Sequence, residues 1–195
     1  MLSAVFDSRF GSPAAGTGVS AADLELAHSE VIAKWTAGGH AGVYASGLLS
    51  LCSVRENGGD PGAWGRYLPA RARVFASGAF GILYVTTGED LWVVSPQYGQ
   101  VIEADVPLDE LPDVLSEPEV LEEFLQQELF ELWSELTDEV LDKQWLCPTP
   151  ALPLGGGWAL DSLRPMRPDL FLSFTAQLFD DGGPNGVEIR RRAPA

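Results

Sequence analysis

The 195-residue chain is long enough for one domain with a sizeable core, and its 46% hydrophobic and 10% aromatic content favours globular order over disorder. Its 28 acidic and 12 basic residues give a formal net charge of −16, which disfavours binding to nucleic acids and anionic membranes and favours basic partners. A charge of this size can equally serve solubility alone, so composition leaves both interpretations open.

Cysteine usage and the hydrophobic pattern indicate where the protein resides. Cys52 and Cys147 lie far apart, outside any CxxC or Cys/His spacing, so we expect neither a disulfide framework nor a zinc site. Residues 1–10 lack the apolar region of a signal peptide, and the longest uncharged stretch, 36–54, is interrupted by glycines. We therefore expect a cytoplasmic protein without a membrane span.

The N-terminal part of the chain predicts an arm followed by a helix. Residues 1–18 are rich in Gly, Ser and Ala, and we expect them to form a flexible arm. Ser20 and Asp23 resemble the start of a capping box. Apolar residues then recur at helical spacing as far as two glycines at 38–39, which predicts a helix over 21–37.

The next part of the chain predicts strands. Residues 43–54 are apolar and favour a pair of short strands, and the glycine-rich stretch 56–66 favours a loop. Four segments rich in β-branched and aromatic residues then follow one another, separated by short turn sequences. They predict an antiparallel meander of strands at 74–77, 79–86, 90–95 and 100–104.

The stretch 103–142 carries 15 acids and neither Lys nor Arg, with apolar residues at helical spacing. It predicts helices with one apolar and one negative face. A capping-box pattern with proline at 116–119 predicts a helix start. One straight helix would place two carboxylates beside the apolar stripe, so either they lie at its margin or the helix breaks near 127–130. A second short helix is predicted over 138–144.

These elements predict a single α+β domain over 19–180, in which an antiparallel sheet meander is flanked by an N-terminal helix and an acidic helical region. Its parts are a sheet core (about 43–104), an acidic helical part (about 105–146) and a C-terminal strand and apolar segment (about 150–179). The strand is expected at 151–154, and Phe80 and Leu154 are expected in the core. Residues 181–195 are expected to form a mobile tail.

Patterns typical of catalysis or metal binding are weak. His28 and His40 are the two histidines of the sequence, and no GxSxG motif or calcium-loop spacing occurs. The glycines at 155–157 lack the Lys-Ser/Thr of a phosphate-binding loop. We therefore expect no catalytic residue, cofactor or metal. An enzyme that uses buried carboxylates is the alternative.

Three stretches together resemble the GAD-like bacterial immunity domain family, which is found beside type VI secretion DNase toxins. They are a helix that ends in Trp35 and two glycines, the segment RVFASGAFGILYV at 73–85, and the corner PALPLGG at 150–156 followed by an apolar segment ending TAQL at 175–178. The resemblance covers about 20–180. It implies a mixed α+β domain that has no catalysis of its own and blocks a cognate toxin until the toxin is exported.

The acidic stretch is the candidate binding surface, because nuclease toxins carry a basic groove that a negative surface can occupy. We expect a monomer that binds a basic toxin and does not bind nucleic acid or membrane. The candidate toxin-binding residues are Glu119, Glu123, Phe130, Glu131, Trp133, Glu135, Asp138 and Glu139.

Several alternatives stay open at this point. The acids can form a merely solvated face, and the two aromatic candidates can pack in the core. The loops 56–66 or 96–100 can make the contact instead. A general protein-interaction module of the SUKH type is the runner-up function.

Overall fold

The computed structural model describes residues 2–26, 29–53, 59–88, 90–137, 141, 143–180 and 186–191. Within these residues a seven-stranded sheet has helices on both faces, and a separate two-stranded sheet lies beside it. The helices are α1 (Ala4–Phe10), α2 (Glu30–Ala37), α3 (Leu111–Val114), α4 (Pro118–Val120), α5 (Gln127–Glu135) and α6 (Pro168–Asp180). The strands are β1 (Gly42–Tyr44), β2 (Leu49–Leu51), β3 (Arg73–Gly78), β4 (Leu83–Thr86), β5 (Leu91–Ser95), β6 (Gln100–Ala104), β7 (Trp145–Pro148), β8 (Leu163–Met166) and β9 (Glu188–Arg190).

The large sheet has the order β1-β2-β3-β4-β5-β6-β9 and is antiparallel except for the β6–β9 pair. Strands β1 to β6 follow one another in space as they do in sequence, so the predicted meander and the α+β fold are confirmed. In the β4–β5 pair, Tyr84 lies opposite Val93 and the next residue, Val85, lies opposite Trp92. Since neighbouring side chains point to opposite faces and both faces are covered, the strands are continuous apolar runs.

Each face of the sheet carries its own hydrophobic core. The first core lies under α1, α2 and the acidic helical region and includes Phe6, Trp35, Phe75, Leu125 and Phe130. The second lies under α6 and includes Trp64, Val85, Trp92, Phe171 and Phe179. The sheet therefore separates the acidic helices from the C-terminal helix. Among the described residues, every helix is too short or too polar to cross a membrane.

The start of the predicted flexible arm is a packed helix, α1. Ser3 caps it by accepting a hydrogen bond from the backbone N–H of Phe6 (3.1 Å). The buried Phe6 ring meets the ring of Tyr44 edge-on, with 5.2 Å between the centroids. Two apolar side chains on one face of seven residues are enough to dock the segment, which its Gly, Ser and Ala content did not suggest.

The first long predicted helix begins later than expected. Ser20 and Asp23 do exchange capping hydrogen bonds (3.0 and 3.2 Å), but the turn that they stabilise ends at Glu25, whose φ of 57° is incompatible with a continuing helix. Helix α2 starts at Glu30, with Ser29 as its N-cap. His28, which was placed on the predicted helix, lies outside the described residues.

Two C-terminal predictions are corrected. Residues 151–154 contain a 3-10 turn (Leu152–Leu154) with a proline, and the strands of this region are β7 and β8 instead. Leu154 is 57% exposed and is not a core residue, whereas Phe80 is buried as expected. Within the predicted mobile tail, β9 adds a parallel strand beside β6.

Candidate functional site

The acidic helical region begins with a cap that differs from the predicted one. The hydroxyl of Ser116 is buried and donates to the carbonyl of Pro112 (2.7 Å), and α4 has no side-chain capping hydrogen bond. Glu117 takes the N-cap position without a side-chain hydrogen bond. Glu119, whose side chain was predicted to complete the capping box, is exposed to solvent.

A single left-handed residue divides the region. The segment from α4 continues through a π-helical turn (Leu121–Leu125), and Gln126 then adopts φ 51° and ψ 52° before α5 begins. The helix therefore breaks, one residue before the predicted interval. Because the break re-aims the chain, the apolar face of α5 is not a continuation of the preceding stripe. Leu132 and Leu136, which a straight helix would bury, are 50% and 73% exposed.

The same break buries the two aromatic candidates. Phe130 and Trp133 are 3% and 8% exposed and lie in the first core, with 6.2 Å between their ring centroids. Their choice as toxin-binding residues assumed an unbroken helix that turns both rings outward, and it is corrected, because the structure packs them in the core. Neither ring is presented to a partner on this surface.

The carboxylates of this region, in contrast, all point outward. We use the name acidic surface for the ten exposed acids Asp109, Glu110, Asp113, Glu117, Glu119, Glu122, Glu123, Glu128, Glu131 and Glu135. Within the described part of the chain, none of these ten forms an ion pair. Asp138 and Glu139, the two remaining candidates, lie outside the described residues.

One of these acids also holds the helix break together. A carboxylate oxygen of Glu122 accepts a hydrogen bond from the backbone N–H of Glu128 (3.1 Å), near the N-terminus of α5. There it satisfies an otherwise unpaired helix donor and complements the helix dipole. The side chain of Gln127 donates to Glu131 one turn further on (2.5 Å). The acidic surface is therefore partly ordered by its own hydrogen bonds.

A cleft of about 250 Å³ opens beside the acidic surface, and we call it the aromatic cleft. Glu123 is the acid that lines it. The other lining residues are Phe80, Ile82, Ser95, Pro96, Gln97, Tyr98, Gln100, Phe124, Gln126 and Trp158. It thus combines one carboxylate, three glutamine amides and four aromatic rings from distant parts of the sequence.

The β5–β6 hairpin forms one wall of the aromatic cleft. Its four-residue turn closes with a hydrogen bond from the N–H of Tyr98 to the carbonyl of Ser95 (3.0 Å). Gly99 follows with φ 66°, and a Cβ there would approach the ring of Phe179 to 2.5 Å. Glycine is therefore required at this position, and the turn fixes Gln97 and Tyr98 against the cleft.

A glycine corner brings Trp158 to the cleft, beside Tyr98 of this turn. Gly155 has a φ of 84°, and a Cβ on Gly156 would lie 1.7 Å from the carbonyl oxygen of Pro150. After this corner the Trp158 ring packs edge-on against Phe80 at 5.4 Å between centroids, and its N–H donates to the Tyr98 hydroxyl (2.7 Å). The Leu-Gly-Gly sequence thus positions a cleft residue.

Gln97 is an unusual member of this cleft. It is 4% exposed, and within the described structure neither its amide oxygen nor its amide nitrogen has a hydrogen-bond partner. Buried amides are nearly always paired, so the Gln97 amide retains the capacity for two further hydrogen bonds. Sequence reasoning missed Gln97 and Trp158; the turn at 96–99 and the tryptophan after the glycine corner were the available signals.

The predicted acids do not converge on one cleft. Glu131 lines a second recess, together with Arg9 of α1 and Phe130, on the other side of the break from Glu123. Glu119 and Glu135 line neither. The arrangement is an extended negative surface with one recess on each side of Gln126, and the described residues hold no group of three His, Cys, Asp or Glu side chains able to share a metal ion.

Comparison with known proteins bears on the fold. No protein-family model and no curated protein matches the sequence. The structure is similar to the crystal structure of Atu4351 from Agrobacterium tumefaciens, with a TM-score of 0.59 over 89% of this chain and 88% of that chain. The two sequences are 16% identical, so the similarity establishes a shared fold.

Proposed function

We propose that this chain is a non-catalytic immunity protein of the GAD-like kind, which binds and neutralises a cognate type VI secretion effector toxin, a nuclease. The observation that carries the proposal is the acidic surface, whose ten carboxylates are exposed and, among the described residues, take part in no ion pair. The net charge of −16 and the absence of Lys and Arg from 103–142 support it. So do the three stretches that resemble the family.

Electrostatic steering is the first step of the proposed mechanism. A nuclease needs a positive groove for phosphates, and a surface of closely spaced carboxylates offers that groove a similar pattern of charge. Attraction over a Debye length accelerates the encounter, and docking then excludes the nucleic acid. The mechanism requires no covalent chemistry from this chain.

Lasting affinity requires apolar contact in addition to charge. Since Phe130 and Trp133 are buried, the apolar contribution on this surface comes from Leu132 of α5 and from Leu136 directly after it, which are both exposed. An interface with an apolar centre and a charged rim follows from this arrangement. The toxin is made in the same cell, so the complex forms in the cytoplasm.

Co-expression with the product of the adjacent gene tests the proposal. The neighbour alone should stop growth of a bacterial host, and the pair should restore growth and yield a one-to-one complex. A neighbour that remains toxic in the presence of well-expressed, folded protein contradicts the proposal. A neighbour that is harmless alone but still binds would favour the SUKH-type interaction module.

A further inference from the structure

The aromatic cleft has the size of a receptor for one side chain. Its volume of about 250 Å³ lies below the roughly 300–1,000 Å³ of pockets that enclose drug-sized molecules. It adjoins the acidic surface through Glu123, and residues of the β5–β6 turn and Trp158 line it as well. A small group carried by a docking protein is therefore the occupant that fits.

The unpaired Gln97 amide indicates the hydrogen-bonding needs of that occupant. Its oxygen lacks a donor and its nitrogen lacks an acceptor, although the side chain is almost fully buried. Leaving both groups unpaired costs free energy that a ligand recovers by supplying partners. An occupant that donates an N–H group supplies the partner that the oxygen lacks.

The aromatic walls favour a flat cation. The Trp158 ring is half-buried and is held by the Tyr98 hydroxyl and by the edge-on Phe80 ring, so its orientation is fixed before a ligand arrives. Tyr98 is itself 53% exposed. Fixed tryptophan and tyrosine faces attract cations through their ring quadrupoles, and a planar cation can stack on them.

The charge of the cleft has the matching sign. Glu123 contributes an exposed carboxylate, and all the residues that line the cleft lack a positive charge. Gln126 adds a further amide at the helix break, which can accept another hydrogen bond. A cation in this cleft therefore meets a carboxylate, amide oxygens and aromatic rings at once.

We propose that the aromatic cleft binds the side chain of an arginine residue presented by the partner protein. A guanidinium has five N–H donors in one plane for Glu123 and the amide oxygens, stacks on Trp158, and is more weakly hydrated than a lysine ammonium. The inference rests on the proposed function for the source of the arginine, and the cleft itself can be tested without the toxin.

The test uses the full chain and a small probe, Nα-acetyl-arginine methylamide. Proton–nitrogen NMR should show saturable shifts of the Trp158 indole and Gln97 side-chain signals, with a Kd of about 1 mM or tighter. The citrulline derivative, which has the same shape without the charge, should bind at least about tenfold more weakly, as should the lysine derivative. Equal responses to arginine and citrulline, or none to arginine, would overturn the proposal.

Variants locate the binding and separate the two proposals. Glu123→Gln keeps the shape of an exposed side chain and should weaken arginine binding about tenfold, whereas Glu119→Gln, which lies outside the cleft, should leave it unchanged. Equal affinity in both variants places the arginine elsewhere and overturns the inference. If the folded chain neutralises the toxin but its cleft ignores arginine, the inference alone fails. If the cleft binds arginine but no toxin is neutralised, the proposed function fails.

Discussion

The indole N–H of Trp158 donates a 2.7 Å hydrogen bond to the hydroxyl of Tyr98, which joins two segments 60 residues apart in the chain. Each end is held by backbone that only glycine permits. Gly99 follows Tyr98 in a left-handed conformation, and Gly156 precedes Trp158 at the tightest backbone approach of the corner. The aromatic cleft is therefore built by two turns, and its shape depends on the backbone conformation and the close approach that glycine allows there.

The first prediction compares two neighbouring glycines. A Cβ on Gly156 would lie 1.7 Å from the backbone oxygen of Pro150, which cannot yield as a flexible side chain would, whereas a Cβ on Gly157 has no atom within 4 Å. Gly156→Ala should lower the free energy of unfolding by about 1–3 kcal/mol or more, and Gly157→Ala should change it by about 0.5 kcal/mol at most. Urea unfolding measures both. Equal effects would show that the corner is not as tight as described.

The second prediction concerns the two residues expected in the core. Phe80 is buried against Trp158, while Leu154 is 57% exposed. Phe80→Asp buries an unpaired carboxylate and removes a ring, which should cost at least about 3 kcal/mol and abolish cooperative folding. Leu154→Asp should fold normally, with a change within about 0.5 kcal/mol. Circular dichroism on heating distinguishes them, and a cooperative Phe80→Asp variant would contradict the core assignment.

Alkaline pH tests the buried hydroxyl of Tyr84. Burial raises the pKa of Tyr84 above its ordinary value of 10.0, and the hydroxyl has no partner among the described residues. The pKa of Tyr84 is higher in the folded chain than in the unfolded chain. This group therefore leaves the free energy of unfolding unchanged with pH below pH 10. Above pH 10 it lowers the free energy of unfolding by about 1.4 kcal/mol per pH unit, because the unfolded chain releases the proton first. Tyr84→Phe should flatten the profile above pH 10 and raise stability at pH 7 by about 1 kcal/mol. Parallel profiles for the two proteins would contradict this account.

The sheet was predictable because its signals are local. Runs of β-branched and aromatic residues between short turn sequences gave strands β3, β5 and β6 to within a residue or two, and β4 to within four. The helix starts were less predictable. The Ser20 box exists but caps a turn that a positive φ at Glu25 ends, and Ser116 lies buried against the carbonyl of Pro112 while α4 has no side-chain cap. In both cases contacts made in the fold override a correct local pattern.

The candidate site, too, has features that the sequence predicted and features that it did not. Exposure of Glu119, Glu123, Glu131 and Glu135 followed from charge, since unpaired carboxylates avoid the core. The inward turn of Phe130 and Trp133 follows from one left-handed glutamine, a conformation that has no sequence signature outside Gly, Asn and Asp. The aromatic cleft draws on four separate segments, so no window of sequence contains it.

Charge reversal tests the role of the acidic surface in association. Glu135→Lys changes the charge by two units at an exposed site on α5, and Asp90→Lys makes the same change before β5. Glu135→Lys should slow toxin association several-fold at low salt, with the difference vanishing near 1 M salt, because only charges within the interface steer the encounter strongly. Asp90→Lys should have a smaller effect, and neither should alter thermal stability appreciably. Stopped-flow measurements of the association rates test this prediction. Identical rates for both variants would show that the acidic surface is not part of the interface.

Titration of the purified adjacent-gene toxin with this protein tests the central claim most directly. The account predicts that nucleic-acid cleavage falls in proportion to the added protein and ends near one equivalent, because each molecule occupies one basic groove. It also predicts that excess nucleic acid and added protein compete for the toxin. Undiminished cleavage in a several-fold excess of folded protein would contradict the account.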